Sequence, residues 1–346
     1  MTILKELNTL VFRIIPKMEY LDLEKEYDNI FASKVLPFIN AHIKKDFCSF
    51  AVYHLLEGLK INRFRGALPI LLAREYNKNE EVMLPLSAIC EMTFTTAMAQ
   101  DDYYDGDEIR EGLQASHKLF GIKDTLISCD YVNHKMISIL NDYLIKNNFS
   151  EYQKDRVMSI VNEAMASWYL SVMLESNSKK DLFLVDENYL EKLYLSKTVH
   201  GRMLLECTFL MIQDNKEIVN IIAEYSKHLA IAGQLKNDIY DFTKHRKYRG
   251  LSDLRQGHIT WPLYFLIQSL NDDERKILLE NLKNQKFDLI ISLFKDKKVI
   301  EKTLELINFH VEKAKELIKD KFPIRVGSAL ELWAEGNRTF SRDPKL

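Results

Sequence analysis

The sequence predicts an all-α fold in a single domain that spans residues 1–346. The first observation is composition: the chain has only 11 glycines and 7 prolines, and 47% of its residues are hydrophobic, enough for a large core. The second is periodicity, because nearly every segment repeats apolar residues every three or four positions, as an amphipathic helix does. The third is that no strand-like alternation runs for more than a few residues, and no linker rich in Gly, Ser or Pro divides the chain.

The apolar spacing predicts helices in order along the chain. They cover residues 51–59, 68–76, 84–104, 126–145, 151–174, 189–212, 218–242, 261–270, 273–282, 287–294 and 298–320, with a short tail helix between Pro323 and Gly336. The helix over 84–104 is apolar on almost every side, so we expect it at the centre of a bundle. Gly106 is its predicted stop, and the polar run 244–250 is a predicted loop.

Bulk properties exclude several classes of function. The formal net charge of −2 provides no basic field for binding nucleic acid. The four cysteines stand far apart and form no disulfide framework, which indicates buried thiols in a reducing cytoplasm: Cys48, Cys90, Cys129 and Cys207. Residues 1–6 lack the apolar region of a signal peptide, and no run of about 18 uncharged apolar residues occurs, so we expect a cytoplasmic chain without a membrane span.

Two short acidic clusters carry the clearest chemical signal. Residues 101–105 read DDYYD, and residues 237–241, which begin 136 positions later (237 − 101), read NDIYD. On a helix, the first and last residues of each cluster share a face and lie about 6 Å apart along the axis. Close carboxylates repel and are costly to bury, so a hard cation such as Mg²⁺ is expected to neutralise them. The predicted metal ligands are Asp101, Asp102, Asp105, Asn237, Asp238 and Asp241.

Basic and polar side chains flank the clusters at intervals. The candidates for binding a substrate are Lys60, Arg63, Arg110, Lys197, Thr198, Gln234 and His258. Taken singly, a lysine or arginine on a helix is usually a solvated charge, and a single acidic cluster is common on an exposed helix face. Paired acids combined with dispersed basic residues are instead typical of a site that binds diphosphate through metal bridges.

In their order and spacing, these motifs resemble the trans-isoprenyl diphosphate synthases and their class I terpene synthase relatives, from about Gly58 to Pro262. The resemblance implies a helical bundle with a deep central cavity, the two acidic clusters facing each other across its mouth, and three Mg²⁺ ions. It also implies prenyl diphosphate substrates and a homodimer. In that family, an allylic diphosphate ionises and the double bond of a second molecule attacks the cation. The catalytic residues implied are Asp101, Asp102, Asp105, Lys197 and Asp238.

The resemblance also assigns the flanking residues to two substrates. Those that correspond to contacts with the allylic diphosphate are Arg110, Lys197, Thr198 and Gln234. Lys60 and Arg63 correspond to binders of isopentenyl diphosphate. His258 stands where a lysine usually follows Asp-Leu-x-x-Gly, and it carries charge only when protonated.

Three further departures weaken the match. Asn237 replaces an aspartate, which removes one charge from the second cluster. Phe94 replaces a histidine or glutamine of the isopentenyl diphosphate site, and Glu111 replaces the second arginine of a pair. A glutamate there should repel a diphosphate. Arg65 and Lys236 are the candidate cations that would compensate for its negative charge.

Product length is predicted from the residues before the first aspartate. In the family, the positions four and five residues before it limit the product, and here they are Ala97 and Thr96. Both are small, as is Thr93, so a product of C20 or longer fits better than C15. The alternative is that small residues here only permit close helix packing.

Three functions remain open from the sequence. The first is a prenyltransferase that condenses isopentenyl diphosphate with an allylic diphosphate. The second is a terpene synthase that ionises and cyclises a prenyl diphosphate, which Phe94, Glu111 and Asn237 favour. The third is a weakly active regulatory subunit, which the intact acids and Lys197 disfavour. Lys60, Arg63 and the segment 253–257 favour the first.

Overall fold

The structure is a computed structural model that describes residues 20–178, 182–183, 185–213, 215–242 and 251–338. The helices are α1 (Tyr20–Ile30), α2 (Leu36–His42), α3 (Phe50–Gly58), α4 (Phe64–Glu75), α5 (Leu84–Tyr104), α6 (Ser116–Leu119), α7 (Ile122–Lys146), α8 (Glu151–Ser178), α9 (Glu187–Lys197), α10 (Val199–Ile212), α11 (Lys216–Phe242), α12 (Ser252–Gln256), α13 (Trp261–Gln268), α14 (Asp272–Lys283), α15 (Phe287–Asp296), α16 (Val299–Ile318) and α17 (Ile324–Glu335). Two strands, β1 (Ile109–Arg110) and β2 (Leu113–Gln114), form a hairpin.

The all-α prediction is confirmed, and the central helix has the predicted bounds 84–104. The single helix predicted over 189–212 is wrong, because the chain leaves helical geometry at Thr198 and forms α9 and α10. The hydroxyl of Thr198 donates to the carbonyl oxygen of Tyr194 at 2.7 Å, a local bond that competes with regular helix. Helices α1 and α2 were not predicted, and the loop predicted over 244–250 lies outside the described residues.

The chain divides into two compact units. The first comprises Met1–Ala164, His200–Ala223 and Ile318–Leu332, and the second comprises Met165–Val199, Glu224–Leu317 and Trp333–Leu346. The first acidic cluster belongs to the first unit and the second cluster to the second. The single domain over residues 1–346 stays a prediction.

Helix α5 is the core of the first unit. It packs against α3, α4 and α7, and every residue from Pro85 to Gln100 except Phe94 is buried. Gly66 allows α4 to approach closely, because a Cβ atom there would lie 2.8 Å from Cγ of Glu91 on α5. The near-complete burial explains why this helix is apolar all round.

The end of α5 fixes the position of the first acidic cluster. Gly106 adopts a left-handed conformation with φ of 70°, as predicted for a helix stop. The amide of Asp107 donates to the carbonyl of Asp102 at 2.8 Å, and the amide of Gly106 donates to that of Tyr103 at 3.2 Å. This pair of bonds is the Schellman motif, and it places the cluster on the last turn of the helix.

The hairpin brings Arg110 back towards the end of α5. Arg110 pairs with Leu113, and the two residues between them, Glu111 and Gly112, have φ of 49° and 85°. Positive φ at both positions is the type I′ geometry that suits the twist of two-residue hairpins. Strands of two residues are too short to show an alternating pattern, so the sequence did not reveal them.

In the second unit, the end of α11 is joined to the start of α12 by one side chain. The carboxylate of Asp241 accepts the backbone amides of Ser252 and Asp253, each at 3.0 Å. These are amides at the start of α12, which have no partner within the helix. Asp241 therefore fixes the start of α12 against the end of α11.

Two described helical segments pass a length-and-composition test for membrane spans. They are Glu80–Tyr104, in which 83% of the tested window is buried, and Glu151–Ser178, in which 33% is buried. The core helix of a soluble protein passes the same test, as the burial of α5 illustrates. The expected lack of a membrane span stays a prediction.

Candidate active site

The first acidic cluster is organised around one guanidinium. Arg110 donates from Nε to Oδ1 of Asp102 at 2.7 Å and from a terminal nitrogen to Oδ2 of Asp101 at 2.8 Å. Asp102 is completely buried, whereas the side chain of Asp101 keeps 29% of its surface exposed. The structure therefore places Asp101, Asp102 and Arg110 together, with Arg110 bound directly to both acids, a contact that the sequence did not specify.

Arg110 is the cationic partner of two of the three acids in this cluster. Burial lowers the pKa of Arg110, but Asp101 and Asp102 more than offset that effect and raise it above its usual value. Asp105 adds a third carboxylate at the C-cap position of α5. The C-terminal end of a helix is the negative end of its dipole, so carboxylates there gain from a nearby cation. Carboxylate oxygens close together at a helix end are ligands of the kind that Mg²⁺ takes in proteins.

Asp238 is the buried acid of the second cluster. It is 1% exposed, accepts a hydrogen bond from the hydroxyl of Tyr194, and accepts another from Nε2 of Gln234 at 3.0 Å. Burial and the neighbouring Asp253 raise its pKa to about 7, although Tyr194 and Lys197 oppose that change. A carboxylate in this environment would be stabilised as an anion by a cation, which again fits a metal ligand.

The other two members of the second cluster differ from Asp238. Asn237 is exposed at the surface of α11. Asp241 is 1% exposed, and each of its oxygens already accepts a backbone amide from the start of α12. These two bonds to the start of α12 fix the position of the Asp241 carboxylate.

Lys197 and Thr198 lie at the break between α9 and α10. Nζ of Lys197 donates to Oε1 of Glu175, and both side chains are largely buried. His258 lies beside the same pair, with Nδ1 at 4.0 Å from Glu175 and 3.6 Å from Asp253. The histidine that replaces the expected lysine is therefore surrounded by carboxylates and is 4% exposed.

Lys60 and Arg63, which correspond to binders of isopentenyl diphosphate in the family, differ in their exposure. Lys60 is exposed in the loop between α3 and α4. Arg63 is 6% exposed and donates to the carbonyls of Leu56 and Leu59, the latter at 3.1 Å. Its other terminal nitrogen lies 3.4 Å from Glu91. Arg63 thus has protein partners that hold the α3–α4 loop against α5.

The residues predicted to set product length have different surroundings. The hydroxyl of Thr96 donates to Oδ1 of Asn133 on α7 at 2.8 Å, which indicates close packing of α5 against α7. The hydroxyl of Thr93 donates within α5, to the carbonyl of Ile89 at 2.7 Å. Ala97 is 5% exposed and its side chain makes no such polar contact. The close-packing alternative therefore applies to Thr96 more than to Ala97.

The donor set agrees with Mg²⁺ bound partly by substrate. Among the residues that the structure describes, no group of three or more His, Cys, Asp or Glu side chains is close enough to hold a metal ion by itself. Magnesium commonly takes one or two carboxylates and completes its shell with water and substrate phosphates. The acids present fit that mode: Asp101, Asp102, Asp105, Asp238 and Asp241.

Three supporting residues were not predicted from the sequence. Tyr194 lies one helical turn before Lys197 on α9, Glu175 pairs with Lys197, and Glu91 pairs with Arg63. Glu91 could have been recognised from the sequence, because it is the only charged residue in the run 84–100, and a buried charge requires a partner. Tyr194 and Glu175 could not, since both occur in ordinary amphipathic segments.

Comparison with known families gives one match over most of the chain. The sequence profile of the family described as polyprenyl synthetase matches residues 49–296, well over half of the chain. The matched region begins in the loop before α3 and ends with α15, so it contains every predicted metal ligand and substrate contact.

Individual relatives agree with that match. The chain is 23% identical over 276 residues to a prenyl transferase of Cyanophora paradoxa, which covers 78% of this chain and 83% of the relative. It is 25% identical over 281 residues to a geranylgeranyl diphosphate synthase of Sulfolobus acidocaldarius, covering 78% of this chain and 81% of the relative. The crystal structure of a decaprenyl diphosphate synthase from Rhodobacter capsulatus superposes with a TM-score of 0.78 at 19% identity, over 91% of this chain and 98% of that one. At such identity the structural likeness shows the fold alone.

Proposed function

Because the chain belongs to the polyprenyl synthetase family, we propose that it is a Mg²⁺-dependent isoprenyl diphosphate synthase. It joins isopentenyl diphosphate to an allylic prenyl diphosphate and releases diphosphate. The observation that carries this proposal is the cluster of Asp101, Asp102 and Arg110 on the last turn of α5. The relatives reported above are prenyl transferases and diphosphate synthases, so the cyclase alternative is not favoured.

In the reaction, the bond between the allylic carbon and the diphosphate oxygen breaks, and the diphosphate leaves with the electron pair. The double bond of isopentenyl diphosphate then attacks the allylic cation, and the released diphosphate takes up the proton whose loss restores a double bond. The developing negative charge on the leaving group is the part that fixed cationic groups stabilise. Bound Mg²⁺ would supply most of that stabilisation.

The residues of the first unit that we assign to this chemistry are Asp101, Asp102, Asp105 and Arg110. The aspartates hold Mg²⁺, and Arg110 fixes two of them in place. A guanidinium has five N–H donors, and only part of that capacity is used by Asp101 and Asp102. The remaining donors of Arg110 are available to the allylic diphosphate.

In the second unit, Asp238 is the metal ligand that the surroundings support best. Tyr194 and Gln234 hold its carboxylate, and burial beside Asp253 raises its pKa, an effect that a bound cation would reverse. Lys197, whose ammonium donates to Glu175, is the residue of this unit that we assign to a phosphate of the allylic substrate. Three Mg²⁺ ions in total, with Asn237 and Asp241 contributing oxygens, are part of the proposal.

We further propose a product of C20 or longer. The small side chain of Ala97 supports it, as does the likeness to a geranylgeranyl diphosphate synthase. A cytoplasmic homodimer without a membrane span, which binds prenyl diphosphate substrates and no nucleic acid, completes the proposal. Its support is the family as a whole.

The direct test is incubation of the full chain with geranyl, farnesyl or geranylgeranyl diphosphate, each with and without isopentenyl diphosphate, in Mg²⁺ or in EDTA. We expect a longer diphosphate only when isopentenyl diphosphate and Mg²⁺ are both present. Hydrocarbons or alcohols formed without isopentenyl diphosphate would instead establish the cyclase. No product from any mixture would favour the regulatory subunit.

A further inference from the structure

One solvent-reachable position interrupts the buried length of α5. From Pro85 to Gln100, a stretch that is fully described, Phe94 alone is not buried. Phe94 is also the residue that replaces a polar side chain expected from the family. The ring of Phe94 is therefore partly accessible in the middle of the core helix of the first unit.

The guanidinium of Arg65 covers this ring. Its Cζ atom lies 3.5 Å from the centroid of Phe94 and 4.4 Å from that of Phe64, so the two rings hold it by cation–π contact. Arg65 is half-buried, and no hydrogen bond joins its guanidinium to any residue that the structure describes. Stacking on a ring leaves the N–H groups at the edge of the guanidinium plane free to bind a planar or tetrahedral oxyanion.

The charges around Arg65 leave it in need of an anion. Glu91 is a carboxylate that acts electrostatically on Arg65, but its oxygens are already used by the amide of Gly66 at 2.8 Å and by Arg63 at 3.4 Å. Burial lowers the pKa of Arg65 to about 10, which Glu91 partly opposes and Arg63 reinforces. His200 does not add charge at neutral pH, because burial and then Arg65 lower its pKa to about 4.

The positions of Arg65 and Phe94 favour binding of a substrate anion over binding of a structural anion. Phe94 and Asp101 are seven residues apart, so they lie on one face of α5 with about 10 Å of rise between them. Arg65 is also in the first turn of α4, a helix of 12 residues whose N-terminal dipole favours an anion. The other cation considered for this role, Lys236, instead donates to the carbonyl of Gly336 at 2.7 Å.

We propose that Arg65, held flat on the ring of Phe94, binds the diphosphate of the isopentenyl substrate in this chain. It does so in place of the polar side chain that Phe94 replaces and of Arg63, which is engaged by Glu91 and by backbone carbonyls. This proposal rests on the proposed synthase activity. It makes Phe94 and Arg65 a matched pair, so that the aromatic substitution creates a support for a new phosphate ligand.

The main test compares Arg65→Met with Arg74→Met. Both arginines belong to α4, but Arg74 is exposed and paired with Glu80 and Glu26, so it serves as the matched control. In Arg65→Met we expect the KM for isopentenyl diphosphate to rise about tenfold or more, as when a charge-assisted phosphate contact is lost. The KM for the allylic substrate and the melting temperature should stay close to those of Arg74→Met.

Two further variants separate binding from a packing role. Arg65→Lys keeps the charge but not the planar fork, so its KM should fall between those of wild type and Arg65→Met. Phe94→Leu should raise the same KM about threefold, because the ring no longer holds the guanidinium. An unchanged KM for isopentenyl diphosphate in Arg65→Met, or equal rises for both substrates, would overturn the proposal.

A binding measurement keeps this outcome apart from failure of the synthase assignment. Inorganic pyrophosphate is titrated into the full chain in EDTA by calorimetry, so that metal sites do not contribute. Weaker binding in Arg65→Met than in Arg74→Met supports the Arg65 site even if wild type elongates nothing. Equal binding in the two variants contradicts it even if wild type is an active synthase.

Discussion

Replacing Gly66 by alanine tests the close approach of α4 and α5. A Cβ atom at Gly66 would lie 2.8 Å from Cγ and 3.4 Å from Oε1 of Glu91, and 3.4 Å from Cγ1 of Val35. Cγ of Glu91 cannot move freely, because both carboxylate oxygens are engaged by Gly66 and Arg63. The substitution must therefore displace a helix or break a buried ion pair.

Two opposing contributions set the change in the free energy of unfolding that Gly66→Ala should cause. Overpacking a core site costs about 1–3 kcal/mol, and replacing a helical glycine by alanine returns about 0.5–1 kcal/mol. The net loss in the free energy of unfolding should be about 1–2 kcal/mol for Gly66→Ala. A methyl group at Gly201, in α10, would meet no heavy atom within 4 Å, so Gly201→Ala should gain up to about 1 kcal/mol.

The assay is equilibrium denaturation of the two variants beside wild type, with the m-value checked for a common unfolding transition. The same chemical change should move the unfolding midpoint in opposite directions at the two sites. Equal stability of Gly66→Ala and Gly201→Ala would refute the argument that α4 and α5 are in contact through Gly66. The control matters because it removes the intrinsic helix preference of alanine from the comparison.

Three other outcomes are expected. Asp101→Ala and Asp105→Ala should each lose about 100-fold or more of turnover with little change in melting temperature, and a variant with full activity would exclude that residue as a ligand. Ala97→Phe should shorten the product by at least one five-carbon unit, whereas Thr96→Phe should mainly destabilise the packing against α7, as product analysis and melting would show. Burial, and then the neighbouring His228, lower the pKa of His310 to about 4, below its value in the unfolded chain. The free energy of unfolding should therefore fall by up to about 3 kcal/mol as pH falls from 6.5 to 4, because the unfolded chain takes up the proton first. His310→Gln should flatten the stability profile in that range, and an unchanged slope would contradict this.

The sequence was sufficient to predict the bounds of those helices whose ends are set by residues close in the chain. Helix α5 was predicted with its bounds because its run is apolar on almost every side and Gly106 supplies the left-handed residue that a Schellman motif requires. The break at Thr198 was not predictable from periodicity, because apolar spacing continues across it. It depends on a side-chain bond to the preceding turn, which competes with the helix only in the folded geometry.

The residue types of the candidate site were proposed from the sequence, whereas their protein partners were not. Arg110 donates to Asp101 and Asp102, a contact that motif spacing did not specify, and the role of these residues in catalysis stays a prediction. Spacing alone could not distinguish Arg63, which has protein partners on three sides, from Arg65, which has none by hydrogen bonding among the described residues. That difference depends on burial and on long-range contacts, which a linear pattern does not contain.

The hairpin between β1 and β2 restricts the number of residues in its turn more tightly than the type of those residues. Because side chains alternate along a strand, one inserted residue after Arg110 would turn the next paired side chain to the opposite face and shift the register with Leu113. The tip itself is exposed, so side chains that tolerate the φ of 49° at Glu111 can replace it without disturbing the pairing. Related chains should therefore tolerate such exchanges at this tip but not insertions or deletions, and the glutamate here is compatible with the hydrogen bonds from Arg110 to Asp101 and Asp102.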